Sequence, residues 1–362
     1  MCEILSTITN PGFCDLILHS QLAPAAPTPY HQPMEIIDSI LSLLGFITVL
    51  ALLAFALGPR PKLNAQAPAS RVPADIESAD LSTWLARSEA TVNNLVDGTE
   101  ARIAWHNPDQ PAKTPLCFLY VHGFSASRQE TAPVTERLAH LHNANIFDAR
   151  LEGHGVGHES NLDQAESWLQ SMVDAWDIAS RIGDRVVIVA TSTGAPLSIW
   201  LLIQPGVSER VQALLLMAPN FKIRSPFGFL LTWPWAPHWV QRLLGQFHEW
   251  EPETPEHGKY WTSRYSTLAL IEMQKMVDWL AKQDLRQFKT PLAMMYLRND
   301  TTIDPVAAVK ALNHWGSDLK KTIPVTLDGD AAAHVFAGRL AGPHRTDWTV
   351  AEFQQFLETT LA

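Results

Sequence analysis

Cysteine is scarce in these 362 residues: Cys2, Cys14 and Cys117 are the only three, and Cys117 lies in an apolar run, Pro115 to Val121, that reads as a buried strand. That argues against a disulfide framework. No CxxC or HExxH spacing occurs and the 14 histidines are scattered, so neither a structural metal nor a metal cofactor is expected. Charge of one sign is not concentrated either. The formal net charge of −10 is spread along the chain, which argues against nucleic acid as a partner. No Lys or Arg precedes Arg60, and no internal repeat is visible. Charged residues make up 18% against 46% hydrophobic, a globular composition in a chain long enough for one large α/β domain with an insertion or tail.

What the chain does have is one long apolar run. Ile36 to Leu57 would extend roughly 33 Å as a helix, enough to cross the hydrocarbon core of a bilayer. From Leu43 onward only Gly45 and Thr48 interrupt it, whereas a globular helix is normally amphipathic. A buried core helix and a cleaved signal peptide ending at Ala54-Phe55-Ala56 are the competing readings, but the basic segment expected before a signal peptide is missing. Glu3, Asp15 and Glu35 precede the run, Asp38 sits near its start, and Arg60, Lys62 and Arg71 follow it. The expectation is a single-pass membrane protein with its large C-terminal part in the cytoplasm, export being the alternative. Residues 1–35, with Pro11, Pro24, Pro27 and Pro33, read as a disordered extension without assigned function, and Met34 could be a start site. Residues 58–80 carry Pro59, Pro61, Pro68 and Pro73 and read as a linker.

Beyond it, a helical stretch from Ala79 to Leu95 precedes alternating strand and helix signals. The runs Pro115–Val121, Ala144–Ala149, Arg185–Ala190, Val211–Ala218, Pro291–Leu297 and Thr322–Leu327 are short, continuous and often β-branched. Such runs suit strands buried on both faces of a parallel sheet with helices on either side. Between the fourth and fifth run, residues 221–290 do not alternate, are too long for a loop, and read as an inserted, mostly helical cap between a first core part, 81–220, and a second, 291–362. The cap contains Trp233, Trp235, Trp239, Trp250, Trp261 and Trp279, with Phe221, Phe227, Phe229 and Phe247. These either roof an apolar pocket or pack the cap onto the sheet.

Two constellations carry chemistry. In Val186-Val187-Ile188-Val189-Ala190-Thr191-Ser192-Thr193-Gly194 a buried strand runs into a serine and then a helix, the setting of a nucleophile elbow. The residues two before and two after such a serine must be small, and here they are Ala190 and Gly194; Ala190 departs from the usual glycine, and Ser192 as a simple helix cap is the alternative. Upstream, Tyr120-Val121-His122-Gly123-Phe124 ends an earlier strand. Two backbone N–H groups aimed at one point can stabilise an oxyanion, one from Thr193 at a helix start and one from Phe124, with Gly123 permitting the turn.

In order and spacing these segments, with Arg150-Leu151-Glu152-Gly153-His154-Gly155, resemble the α/β-hydrolase superfamily, in particular its carboxylesterase and monoacylglycerol-lipase-like serine hydrolases with a helical cap. The resemblance covers about residues 113–362. It implies an order of nucleophile, acid and histidine, which places the acid after the strand that follows the cap and selects Asp300, with Ile303 three residues on; Asp304 is the runner-up, although Asp304-Pro305 is explained as a helix start. It places the histidine at His334, after the last strand, in preference to His344 and His314. His122 and His154 would shape the pocket or support it. The implied activity is cleavage of carboxylic esters, lipid-derived or medium-chain, through an acyl-enzyme on Ser192, without a cofactor. A thioesterase, acyltransferase or aminopeptidase could use the same residues, and a non-catalytic membrane-anchored binding protein is a further alternative.

Overall fold

The computed structural model describes residues 32–326 and 333–361, so the expected extension at 1–35 lies almost wholly outside the described residues. Two compact units are present, Met1–Leu57 and Gly58–Ala362. The first contains α1 (Gln32–Ala56). Its Met34–Ala56 segment has a mean hydropathy of 2.5 and none of it is buried, so by length and composition it can cross a membrane.

The second unit runs α2 (Leu81–Glu89), β1 (Arg102–Ala104), β2 (Thr114–Val121), α3 (Val134–Leu141), β3 (Asn145–Asp148), β4 (Glu159–Ser160), α4 (Ala165–Ile182), β5 (Gly183–Thr191), α5 (Gly194–Leu202) and β6 (Val211–Met217). There follow α6 (Ala236–Leu244), β7 (Phe247–Glu249), α7 (Pro255–Tyr260), β8 (Arg264–Ser266), α8 (Leu268–Leu280), β9 (Leu292–Leu297), α9 (Pro305–Asn313), β10 (Lys320–Val325) and α10 (Pro343–Leu361). Seven strands form one sheet in the order β1-β3-β2-β5-β6-β9-β10, parallel throughout except that edge strand β1 runs against β3. All six expected core strands are in it.

Alternation along β5 explains why its sequence is continuously apolar. Val186, Ile188 and Ala190 join the core under α4 and α5 with Trp168, Leu197 and Trp200. Val187 and Val189 face the opposite layer, with Leu138 of α3 and Phe353 and Leu357 of α10. Because both faces are covered, every position must be apolar. From β2 the chain moves outward to β3 and then crosses back to β5. The strand order thus reverses between β2 and β5, whose C-terminal ends pair Val121 with Ala190. Open α/β sheets bind ligands in the crevice at such a reversal.

Two expectations need correction, and the cap holds one element that was not foreseen. The stretch 58–80 is not a free linker: Val72 is buried, Ala65 accepts from the Trp200 indole at 2.9 Å, and Arg71 pairs with Asp174 at 2.7 Å and Glu152 at 3.1 Å. Its prolines suppress secondary structure, but its apolar side chains still find the domain surface. Within 221–290 the helices α6, α7 and α8 make up most of the regular structure, and β7 and β8 add a second sheet with β4, which comes from outside the insertion. Strands of two or three residues are too short to show a period in sequence. The helix expected to reach Leu95 stops at Glu89, and Asn94 beyond it takes a left-handed conformation.

Candidate active site

Ser192 sits at the turn between β5 and α5 with φ +51°, a conformation that costs a non-glycine residue roughly 1–3 kcal/mol unless its surroundings hold it. Three backbone bonds do so: the Ser192 N–H donates to the Met217 carbonyl at 3.0 Å, and its own carbonyl accepts from Asn220 at 3.0 Å and Ala195 at 3.1 Å. Gly194 is required where α5 meets the end of β2, because a Cβ there would collide with the carbonyl oxygens of Val121 and His122. Ala190 is fully buried between Val121 and Leu216, so the sheet accommodates its methyl.

The structure brings Ser192, His334 and Asp300 into one chain of hydrogen bonds. The Ser192 Oγ lies 2.8 Å from His334 Nε2, and His334 Nδ1 lies 2.8 Å from Asp300 Oδ2 and 3.0 Å from Oδ1. A proton on Nδ1, donated to Asp300, leaves Nε2 free to accept from the serine hydroxyl. Asp300 is fully buried, and its Oδ1 also accepts from the backbone N–H groups of Thr302 at 2.8 Å and Ile303 at 2.9 Å. Those bonds hold the carboxylate in place after β9. Asp304 points elsewhere. It caps α9 through Val306 and Ala307 and pairs with Lys222 at 3.0 Å. His314 bonds its own helix at the Lys310 carbonyl, and His344 stands beside Arg345.

Phe124 and Thr193 both border the cleft at Ser192, and among the described residues neither backbone N–H has a protein acceptor. The Phe124 ring is boxed edge-on by His154, Trp168 and Tyr265. His122 fixes the turn from inside, its Nδ1–H donating to the Gly123 carbonyl at 2.8 Å while Nε2 accepts from the Leu151 N–H at 3.1 Å. Burial lowers the pKa of His122 to about 4 and that of His154 well below the usual range, so both rings are neutral supports.

Two further residues were not anticipated from sequence. Glu130 is buried, and its carboxyl accepts from the Gly123 N–H at 2.8 Å and the Tyr120 hydroxyl at 3.0 Å; burial raises its pKa to about 7. It stands so close that a Cβ on Gly123 would lie 2.7 Å from its Oε1 and 3.0 Å from the Ser192 Cβ. Asn220 braces the elbow, its Nδ2 reaching the Thr193 hydroxyl at 3.3 Å, while its buried Oδ1 has no partner among the described residues. Glu130 lies in a polar loop, where a glutamate ordinarily reads as solvated, and Asn220 follows a strand end, where asparagine reads as a turn residue.

Over these groups lies a cleft of about 690 Å³. The cap contributes Trp250, Glu253, His257, Trp261, Tyr265 and Met273. Of the six cap tryptophans only Trp250 and Trp261 border it, and none of Phe221, Phe227, Phe229 or Phe247 does. Of the two alternatives open from sequence, roofing a pocket or packing the cap, the roof applies to these two tryptophans alone, and the cap side of the cleft is a wall of mixed polarity. Trp239 and Trp279 pack inward instead. Among the described residues no group of three or more His, Cys, Asp or Glu is placed to hold a metal ion.

The fold matches several solved structures. One of the metagenome-derived lipolytic enzymes LipS and LipT aligns at a TM-score of 0.58 and 17% identity, over 73% of this chain and 99% of that one. The monoacylglycerol lipase of Paleococcus ferrophilus aligns at 0.52 and 15%, over 72% and 99%. A soluble variant of the monoglyceride lipase of Saccharomyces cerevisiae aligns at 0.50 and 12%, over 73% and 93%. At these identities the likeness is one of fold. A curated relative, 2-succinyl-6-hydroxy-2,4-cyclohexadiene-1-carboxylate synthase of Salmonella typhi, is 31% identical over 112 residues, which span 28% of this chain and 42% of that protein. The model of the family described as serine aminopeptidase, S33 matches residues 112–326, more than half of the chain. The chain belongs to that family, within the α/β-hydrolase superfamily.

Proposed function

We propose that the protein is a membrane-anchored serine hydrolase that cleaves carboxylic esters, with lipid-derived, monoacylglycerol-like or medium-chain acyl esters as substrates. The observation that carries this reading is the unbroken chain Ser192–His334–Asp300 opening into a cleft beside two N–H groups that have no acceptor among the described residues. In the mechanism, the Ser192 Oγ attacks the ester carbonyl carbon as His334 Nε2 takes its proton. The N–H groups of Phe124 and Thr193 receive the oxyanion, an effect worth roughly 3 kcal/mol per donor. Collapse breaks the bond to the leaving alkoxide, which takes the proton from His334. Water repeats the sequence on the acyl-enzyme, and Asp300 orients the imidazole and stabilises its cation throughout.

Lipid-derived esters are favoured because a chain inserted through α1 has them at hand, and Ile223, Met273, Val335 and Leu340 give the cleft apolar surface beside its polar groups. A second reading, removal of N-terminal amino acids from peptides, draws on Glu253, a carboxylate in the cleft wall to which a free amine could pair, and on the family's description. The anchor reading rests on α1, and the cytoplasmic side on Arg60, Lys62 and Arg71.

Labelling by a fluorophosphonate probe is expected at Ser192 and lost in Ser192→Ala and His334→Ala variants that still fold; a folded, unlabelled wild-type chain would refute the mechanism. A panel of nitrophenyl esters, acyl-thioesters and aminoacyl anilides is expected to favour the esters, and preference for the anilides selects the second reading. Protease accessibility in sealed vesicles tests the orientation, with digestion from the non-cytoplasmic side counting against it.

A further inference from the structure

We propose that the cap carries a lipid-docking surface, formed by Phe227, Phe229, Leu243 and Leu244, which rests on the bilayer beside the point where the chain leaves it. This rests on the reading of α1 as a membrane span. The four side chains are 67%, 51%, 73% and 57% exposed. Scattered apolar residues at a surface need no explanation, but four large ones in a short stretch of chain do. Helix α6 is sided: Ala236 and Val240 are buried in a cluster with Ile271, while Leu243 and Leu244 face away from the domain interior. Trp233 and Trp235 border the same stretch at 39% and 40% exposure, and indoles favour the headgroup layer of a membrane.

Chain connectivity identifies the occupant. Within the second unit, the N–H of Trp235 donates to the Pro59 carbonyl at 2.8 Å, and Gly58 approaches the Trp235 indole so closely that a side chain there would collide with it. Trp235 holds a left-handed φ of +62° at this clasp, which bulky residues adopt only when their surroundings impose it. The apolar span ends at Ala56, and the three residues from there to Pro59 reach at most about 11 Å. The clasp therefore holds this part of the cap next to the membrane exit. Arg60 and Lys62, in the same stretch, suit the phosphates of a headgroup layer. The docked cap would draw on ester substrates from the lipid phase.

The test uses the full chain in phosphatidylcholine vesicles, with Cys2→Ser and Cys14→Ser leaving only the buried Cys117. A fluorophore is placed by Phe227→Cys or Leu243→Cys, by Glu209→Cys in the exposed loop before β6, and by Leu44→Cys within α1. Spin-labelled lipids are expected to quench the labels at 227, 243 and 44 but not at 209. Quenching at 44 with none at 227 and 243 overturns the docking surface and leaves the span standing; no quenching at 44 overturns both. Labels at 227 and 243 shielded from lipid and from aqueous quencher alike would show a protein cover, a second copy or a segment of this chain, and equally overturn it. None of Phe227, Leu243 and Leu244 borders the cleft. Their combined replacement by Ser is therefore expected to raise KM for a vesicle-borne ester about tenfold while leaving a soluble short-chain ester unaffected. Equal losses on both substrates would refute the proposal.

Discussion

Replacing Glu130 by Gln probes the carboxyl buried beneath the Phe124 loop. Burial raises its pKa from 4.5 to about 7, against the opposing influence of the Gly123 N–H, the Tyr120 hydroxyl and His334. In the unfolded chain this proton leaves near pH 4.5, and in the folded chain near pH 7. Between those values the native state binds more protons, so stability falls as pH rises through that window and the penalty is complete above it. At about 1.4 kcal/mol per pH unit, the wild-type chain loses about 3 kcal/mol from this group between pH 4.5 and 8. The amide is nearly isosteric, can still accept from the Gly123 N–H, and does not titrate. Glu130→Gln should therefore gain about 3 kcal/mol relative to wild type over the same range, whatever its offset at acid pH. Urea unfolding of the detergent-solubilised full chain, followed by tryptophan fluorescence at several pH values, reads the difference, because the other titrating groups are common to both chains. Parallel pH profiles would refute the reasoning and place Glu130 among ordinary ionised carboxylates.

Asp300→Asn is expected to lower kcat on the order of 10⁴-fold by upsetting the imidazole tautomer, whereas Asp304→Asn should keep turnover, since Asn caps α9 as well as Asp and only the Lys222 pair is lost. Steady-state rates on one nitrophenyl ester decide it, and similar losses in both variants would sink the assignment of Asp300. Gly194→Ala should cost about 3 kcal/mol and remove turnover, because the new methyl meets the backbone of β2 rather than a yielding side chain. Ala190→Gly should cost about 1 kcal/mol and preserve turnover; melting curves with matched assays compare the two.

Much of the site was legible in the sequence because its parts lie at strand ends, and buried parallel strands are the most readable segments of an α/β chain. Ser192 and Gly194 follow β5, Phe124 follows β2, Asp300 follows β9 and His334 follows β10, so the list of strands, read with the order that the α/β-hydrolase resemblance implies, was enough to single them out. The apolar run of α1 was equally plain, since its length and composition need no partner to be recognised. Asp304 too could be set aside locally, as a cap before proline.

Tertiary structure alone decided what depends on side chains far apart in the chain. Glu130 becomes a buried, near-neutral acid only because the loop after β2 folds over it, and burial is not a property of its neighbours in sequence. The residues from 58 to 80 look like a linker until Trp200 and Asp174 bind them. The cap tryptophans divide between cleft, interior and surface, and the small sheet beside them pairs β8 with β4 from about a hundred residues away. Local pattern thus determined which elements form and in what order. The partners of each polar group, and with them its charge and its place in the chemistry, were set by packing, which brings together residues that no sequence window contains.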